Sequence, residues 1–297
     1  MNRGFLMLIE YLASLFETHP IMLVVASLFI TNLSITGCEI ILDILTEKER
    51  RWKDTVANCV IFLTHQVVEK TAFASIAFVA LLPFFIITPL HIKMTGWTWV
   101  LAILVADFTY YWMHRFEHKH RVLWASHNVH HSSVDYNLTV GFRLSLVEGF
   151  FEWIFLVPMI LIGFNPFQAL VALVLIAQYQ HWIHTEYIGK LGWLDEVFNT
   201  PSVHRVHHGS NKQYLDKNYG GVMMIWDKLF GTFERENKKV SYGLVNEINT
   251  NNPIKIIFIE FGYLWGDFKK CRNNQDRIKT IFGGLSWRPD YFLNEKS

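Results

Sequence analysis

Cysteine is scarce, with three in 297 residues: Cys38, Cys59 and Cys271. They are far apart and form no CxxC pair, which excludes a disulfide framework and a thiolate zinc finger and fits thiols left reduced. Charge is scarce too. Asp, Glu, Lys and Arg make up 18% of the chain, against roughly 25% in soluble domains. The net charge of +1 gives no reason to expect a polyanionic partner, so no nucleic acid is expected. A G-x-S-x-G elbow, a P-loop and a dinucleotide fingerprint are all missing. Any redox chemistry must therefore draw electrons from a redox partner or a diffusible reductant. No internal repeat or low-complexity linker breaks the chain.

What is there is apolar. Hydrophobic residues reach 51% and aromatics 15%, and the mean hydropathy is +0.20. A bilayer core of about 30 Å takes about 20 helical residues, and five runs approach that length: Pro20 to Leu45, Thr71 to Leu90, Gly96 to Met113, Leu144 to Gly163 and Pro166 to about His184. Glu39 and Asp43 suggest that the first run ends at the interface. Phe5 to Phe16, interrupted by Glu10, predicts an interfacial helix rather than a signal peptide. Of the 27 Lys and Arg, the side opposite the main basic one holds only Arg3 and Lys93, so the positive-inside rule makes the basic side cytoplasmic. Thr185 to Ser297 then forms a cytoplasmic cap. Within it, Pro253 to Phe268 predicts an amphipathic helix, either lying on the membrane or forming the core of the cap. The fold class expected is all-α: a multi-span transmembrane helical bundle with a helical cap. It is one integrated domain with N-terminal membrane helices (1–113), a histidine-motif region (114–240) and an interfacial C-terminal region (241–297). The C-terminus Leu293 to Ser297 shows no retention signal, which favours a bacterial inner membrane over the endoplasmic reticulum.

Histidine is abundant. There are 14, of which 11 lie between His114 and His208. His114 and His118 form H-x-x-x-H, which puts both rings on one helix face. His127, His130 and His131 form H-x-x-H-H, and His204, His207 and His208 repeat it. His181 and His184 sit three apart at the end of the fifth run. By the expected topology all four clusters reach one membrane boundary. Imidazole is a neutral nitrogen ligand, and so many rings at one place exceed one ion's needs, so two metal ions are the natural count. His19, His65, His91 and His120 stand outside these spacings and are expected to be ordinary hydrogen bonders. Softness alone admits iron, copper, nickel or zinc; a dimetal site beside a membrane-facing cavity suits O2 activation, which favours iron.

These motifs, with the stretches 107–118, 124–139, 182–186, 198–209, 216–221 and 225–234 around them, resemble the fatty acid hydroxylase/sterol desaturase superfamily of membrane di-iron oxygenases. Within it the intervening text is most similar to the ether-lipid branch, the alkylglycerol monooxygenases. The likeness runs from about Asp107 to Glu234. It implies that His114, His118, His127, His130, His131, His184, His204, His207 and His208 are iron ligands, with His181 as a further candidate. Lys119 departs from the branch, which usually places an acidic residue there, and so puts tetrahydrobiopterin as reductant in question.

Metal-bound imidazoles need acceptors that fix their tautomer. Asp107, one heptad before His114, is a candidate, as are Asp135, Asp216, Asn218 and Tyr219 beside the clusters; turn chemistry explains Asp216 to Gly221 equally well. Glu148 and Glu152 lie inside an apolar run, where carboxylates are costly. They are expected to face a wet or protein-lined interior, as walls of a substrate channel or as partners of Arg143. The function expected is lipid C–H hydroxylation by a membrane di-iron oxygenase. Oxidation beside an ether oxygen would release an aldehyde and a glycerol lipid. The alternatives are a sterol or fatty-acyl hydroxylase/desaturase and a non-catalytic metal-binding or transport protein.

Overall fold

The computed structural model describes residues 20–68, 72 and 74–292. The expected interfacial helix at Phe5 to Phe16, His19 and the C-terminal Leu293 to Ser297 lie outside these residues. Among the described residues the chain is all-helical, without a strand; only isolated bridges occur, at His120–Gly284 and Phe198–Met223.

Helix α1, Pro20–Leu45, is built inside out. Its buried residues are Asn32, Thr36, Glu39 and Asp43, a stripe at helical spacing, while Leu23, Ile30, Leu33, Ile41 and Ile44 face outward. It is the one described helix long and apolar enough to cross a membrane. Glu39 and Asp43 are both buried and paired with Arg50, Nη2 3.2 Å from Glu39 Oε2 and Nε 2.6 Å from Asp43 Oδ2. Helix α2, Trp52–Val68, was not marked by an apolar run, because Lys53, Asp54, Asn58 and Gln66 interrupt it.

Helices α3 (Ala74–Ile87), α4 (Gly96–Glu117), α6 (Gly149–Leu161) and α7 (Pro166–His181) make the main apolar core, with the shorter α5 (Arg121–His131) following α4. The second, fourth and fifth apolar runs thus give helices shorter than those runs. Ala102 and Ala106 of α4 fall in one buried cluster with Ala169 and Ala172 of α7, small side chains that let helix backbones approach. Thr95 and Thr98 form a reciprocal capping box that starts α4. Asn165 caps α7, with Pro166 in its first turn. The tight turn before it needs glycine: Gly163 has φ +105, and a Cβ there would lie 2.9 Å from the Leu90 carbonyl oxygen.

Beyond α7 the chain folds over one end of the bundle through α8 (Pro201–His207), α9 (Ile225–Phe230), α10 (Pro253–Lys270) and α11 (Asn274–Phe282). The amphipathic helix α10 packs as a core helix. Ile256 and Ile257 join Ala57, Ile61 and Val129 in a buried cluster, and Arg121 Nη2 pairs with Asp267 at 2.5 Å. Its opposite face leaves Ile254, Phe258, Tyr263 and Trp265 exposed.

Candidate metal centre

The last turn of α4 presents His114, with His118 as its C-cap. Helix α5 presents His127, His130 and His131. His184 lies just past the end of α7, and α8 carries His204 and His207 with His208 as its C-cap. All nine are buried. Their ligand atoms form two groups, each within 4.8 Å: His114, His118, His127, His131 and His207 in one, and His130, His184, His204 and His208 in the other. The chain-adjacent pairs His130–His131 and His207–His208 are each split between the groups.

Hydrogen bonding alone does not explain this packing. A neutral imidazole has one N–H and one lone pair. His114 Nδ1 donates to the Tyr219 carbonyl at 3.0 Å, His127 Nδ1 to Glu148 Oε1 at 3.0 Å, His184 Nδ1 to the Gln180 carbonyl at 2.8 Å and His207 Nδ1 to the Lys217 carbonyl at 2.9 Å. Their Nε2 atoms are therefore bare. Yet His114 Nε2 lies 3.1 Å from His127 Nε2, two lone pairs facing each other. His184 Nε2 has three such neighbours, in His130, His204 and His208, at 2.9 to 3.2 Å. His118 Nε2 is buried with no partner at all. A metal cation bound in each group would give these nitrogen atoms the partner they lack. Burial, reinforced by the neighbouring rings, holds His118, His131, His204 and His208 well below the usual histidine pKa. For His207 burial brings it to about 3. The rings are thus kept in the neutral form that metals require.

The loop opposite α7 passes very close to the four-histidine group. A Cβ at Gly141 would meet His181 Nδ1 at 2.7 Å and His184 Nδ1 at 3.2 Å. His181 cannot give way easily, because its ring stacks on Phe142 at 4.2 Å. Gly141→Ala is expected to turn His184 out of line and weaken the second metal by about 10- to 100-fold, the usual cost of disturbing a ligand's orientation. Competition against a chelator measures this, and unchanged affinity for both ions would refute it.

His181 itself lies outside both groups, its Nε2 2.8 Å from Thr36 Oγ1 on α1. Asp107 touches no histidine. It accepts from Val222 N at 2.7 Å, Met223 N at 3.2 Å and Trp226 Nε1 at 2.9 Å, so it fastens the 222–226 segment to α4. Asp216, half exposed, accepts from Lys119 Nζ at 2.5 Å and from Tyr219 OH at 3.1 Å. Asn218 acts at one remove: it donates to the Val203 and Glu234 carbonyls and accepts from Glu234 N, holding residue 219, whose carbonyl takes the His114 proton. Asp227 completes that turn by accepting from Tyr219 N and Gly220 N, both at 2.7 Å; burial raises its carboxyl to about 6. The Tyr219 ring stands 5.2 Å from that of His118. Asp135 accepts from Arg51 N, and His120 Nδ1 donates to the Phe282 carbonyl. Glu148 pairs with His127 and not with Arg143, which pairs instead with Asp54 at 2.7 Å. The sequence reading passed over Glu117, a buried carboxylate 3.4 Å from His127 Nδ1; its place inside the H-x-x-x-H motif was the available signal.

Two cavities approach the histidines. One, of about 550 Å³, is lined from α1 to α4, α6 and α7 by residues that include Phe29, His65, Trp153, Leu156 and Leu173; none of the nine histidines lines it, and it reaches their neighbourhood at Tyr110 and Glu148, beside His114 and His127. The other, of about 380 Å³, has a mixed polar and apolar lining and reaches His118, His131, His207 and His208 past Arg121, Asp216 and Arg288.

Residues 99–232 match the family model described as fatty acid hydroxylase. The chain is similar to the alkylglycerol monooxygenase of Homo sapiens, 48% identical over 65% of this chain and 43% of that protein. It is also similar to the alkylglycerol monooxygenase of Danio rerio, 44% identical over 66% and 44%. With the ornithine lipid hydroxylase OlsE of Rhizobium tropici it shares 35% identity over 45% and 41%. The match spans under half the length of each of these relatives, and no solved structure matches the chain. The resemblance read in the sequence is thereby borne out: the stretch from 99 to 232, which holds all nine clustered histidines, matches the fatty acid hydroxylase family, and its relatives include the alkylglycerol monooxygenases.

Proposed function

We propose that the chain is a membrane-embedded oxygenase that holds two iron ions and hydroxylates an ether lipid at the carbon beside the ether oxygen. The observation that carries this is the meeting of nine buried imidazoles, in two ligand groups, near a mainly apolar cavity of about 550 Å³. Helices α1, α3, α4, α6 and α7 are the spans in this reading. The outward rows Ile30, Leu33 and Ile41 on α1, Val79, Ile86 and Ile87 on α3, Val100 and Leu104 on α4, and Phe150 and Ile154 on α6 support it, because exposed apolar surface on this scale marks contact with lipid. The histidines then lie at the basic, cytoplasmic end of the bundle.

Iron bound there would supply O2 activation and removal of hydrogen from an unactivated C–H bond. The chain's own residues do the rest. Phe29, Trp153, Leu156 and Leu173 hold the alkyl chain and exclude water. Backbone carbonyls at Gln180, Lys217 and Tyr219 fix the tautomers of three ligands, and Glu148 fixes that of His127. One oxygen atom enters the lipid and the other leaves as water, with two electrons and two protons from an external donor. The resulting hemiacetal collapses to a fatty aldehyde and a glycerol lipid. Lys119, tied to Asp216, argues for a redox protein or another diffusible reductant over tetrahydrobiopterin. Labelled 1-O-hexadecylglycerol should yield labelled hexadecanal from protein carrying two irons per chain. An intact hydroxylated or desaturated lipid would instead favour the sterol or fatty-acyl alternative, and metal without oxygen consumption would favour a binding protein.

A further inference from the structure

The two ligand groups differ in what stands behind their rings. In the four-histidine group, His184 Nδ1 donates to a neutral carbonyl, and among the described residues none of the four pairs with a carboxylate. In the five-histidine group, His114 and His207 also donate to carbonyls, but His127 does not. Its Nδ1 donates to Glu148 Oε1 at 3.0 Å, with Glu117 Oε2 at 3.4 Å on the same nitrogen. Both carboxylates are buried, Glu148 at 6% and Glu117 at 4% exposure, and Glu148 Oε2 has no hydrogen-bond partner to spread its charge. An N–H held by a carboxylate makes an imidazole a stronger electron donor to its metal than one held by an amide carbonyl. Charge in such buried surroundings is also screened weakly.

We infer that the two metal positions are electronically unequal, and that Glu148 is the positioning residue that lowers the reduction potential of the five-histidine position. The groups on the far side of His127 do not offset this: the rings of His114, His118 and His131 face it at 4.7 to 5.0 Å. When a single electron is delivered, it then settles on the four-histidine ion, leaving the carboxylate-backed ion oxidised. The inference rests on iron as the metal in the proposed function.

The test uses the full iron-loaded chain. Mössbauer spectra of the one-electron-reduced protein should show a localised ferrous and a localised ferric ion. A redox titration should resolve two potentials. Glu148→Gln keeps the acceptor oxygen and removes the charge. It should raise one potential by at least about 59 mV, a tenfold change in the oxidised-to-reduced ratio for one electron, and leave the other unmoved. Two irons of identical signature in the wild type, or equal shifts of both potentials in Glu148→Gln, would overturn the inference. Where Glu148→Gln loses metal, Glu148→Asp, which keeps the charge, should hold both ions and leave both potentials near their wild-type values. Unequal irons without any lipid product would sink the proposed function and leave this inference standing. Lipid oxidation by two identical irons would do the reverse.

Discussion

His184→Ala should leave the chain with one tightly held metal ion in place of two and with no measurable lipid oxidation. Three ring nitrogens face His184 Nε2 within 3.2 Å, so this side chain is the hub of the four-histidine group. Without it His130, His204 and His208 offer three nitrogens to an ion that otherwise has four. Disturbing a group behind a ligand already costs 10- to 100-fold in metal affinity or activity, and deleting the ligand should cost more than about a hundredfold. Metal content by mass spectrometry and aldehyde release measure the two effects separately. Retention of two ions, or turnover within tenfold of the parent, would refute the assignment. His91→Ala is the matched control, because His91 belongs to neither group and lines neither cavity.

The second large effect is expected at Arg143, on stability. This guanidinium is 1% exposed. It donates to Asp54 Oδ1 and Asn58 Oδ1, both at 2.7 Å, to the Val129 carbonyl at 3.0 Å and to Ser132 Oγ. It thereby ties α2 to the end of α5 on either side of His130 and His131. Arg143→Met fills similar space but abandons the Asp54 carboxylate in the interior. Breaking a buried pair from one side costs about 3–5 kcal/mol, whereas replacing both partners with apolar groups is often close to neutral. The double variant Arg143→Met, Asp54→Leu should therefore be more stable than the single one. Thermal unfolding in lipid nanodiscs gives the order, and a double variant less stable than Arg143→Met would contradict it.

The candidate ligands were legible because their relations are local. Spacings of three and four residues on a helix fix which rings share a face before any tertiary contact forms, so His114 with His118, or His127 with His130 and His131, could be read from the order of residues. What stands behind the ligands was not local. Asp107 does lie on α4 in helical register with His114, but the 222–226 segment packs against that face and takes both its oxygens. The sequence could not say which backbone would arrive. The same holds for His181, three residues from His184 yet held by Thr36 from α1. Glu148 was marked as a carboxylate in need of a protein-lined interior; that it reaches His127 depends on how α6 packs on α4. The apolar runs overstated the helices they contain, because runs include turns and caps: Leu144 to Ser145 lie outside α6, which begins at Gly149. Helix α2 was hidden for the opposite reason. Its polar residues, Asp54 and Asn58 among them, are buried against Arg143 and Thr139, so no hydropathy pattern announced it.

The split of His130 from His131, and of His207 from His208, between the two groups has a mechanical consequence. Neighbouring alpha carbons are separated by a fixed step of about 3.8 Å across a trans peptide. Twice over, the gap between two ions bound there would thus be gauged by the covalent chain as well as by how the helices settle. On the proposed reading, a bundle that flexes around an alkyl chain would do so with little stretching of that gap, since any tilt of α5 or α8 would carry a ligand of each ion along with it.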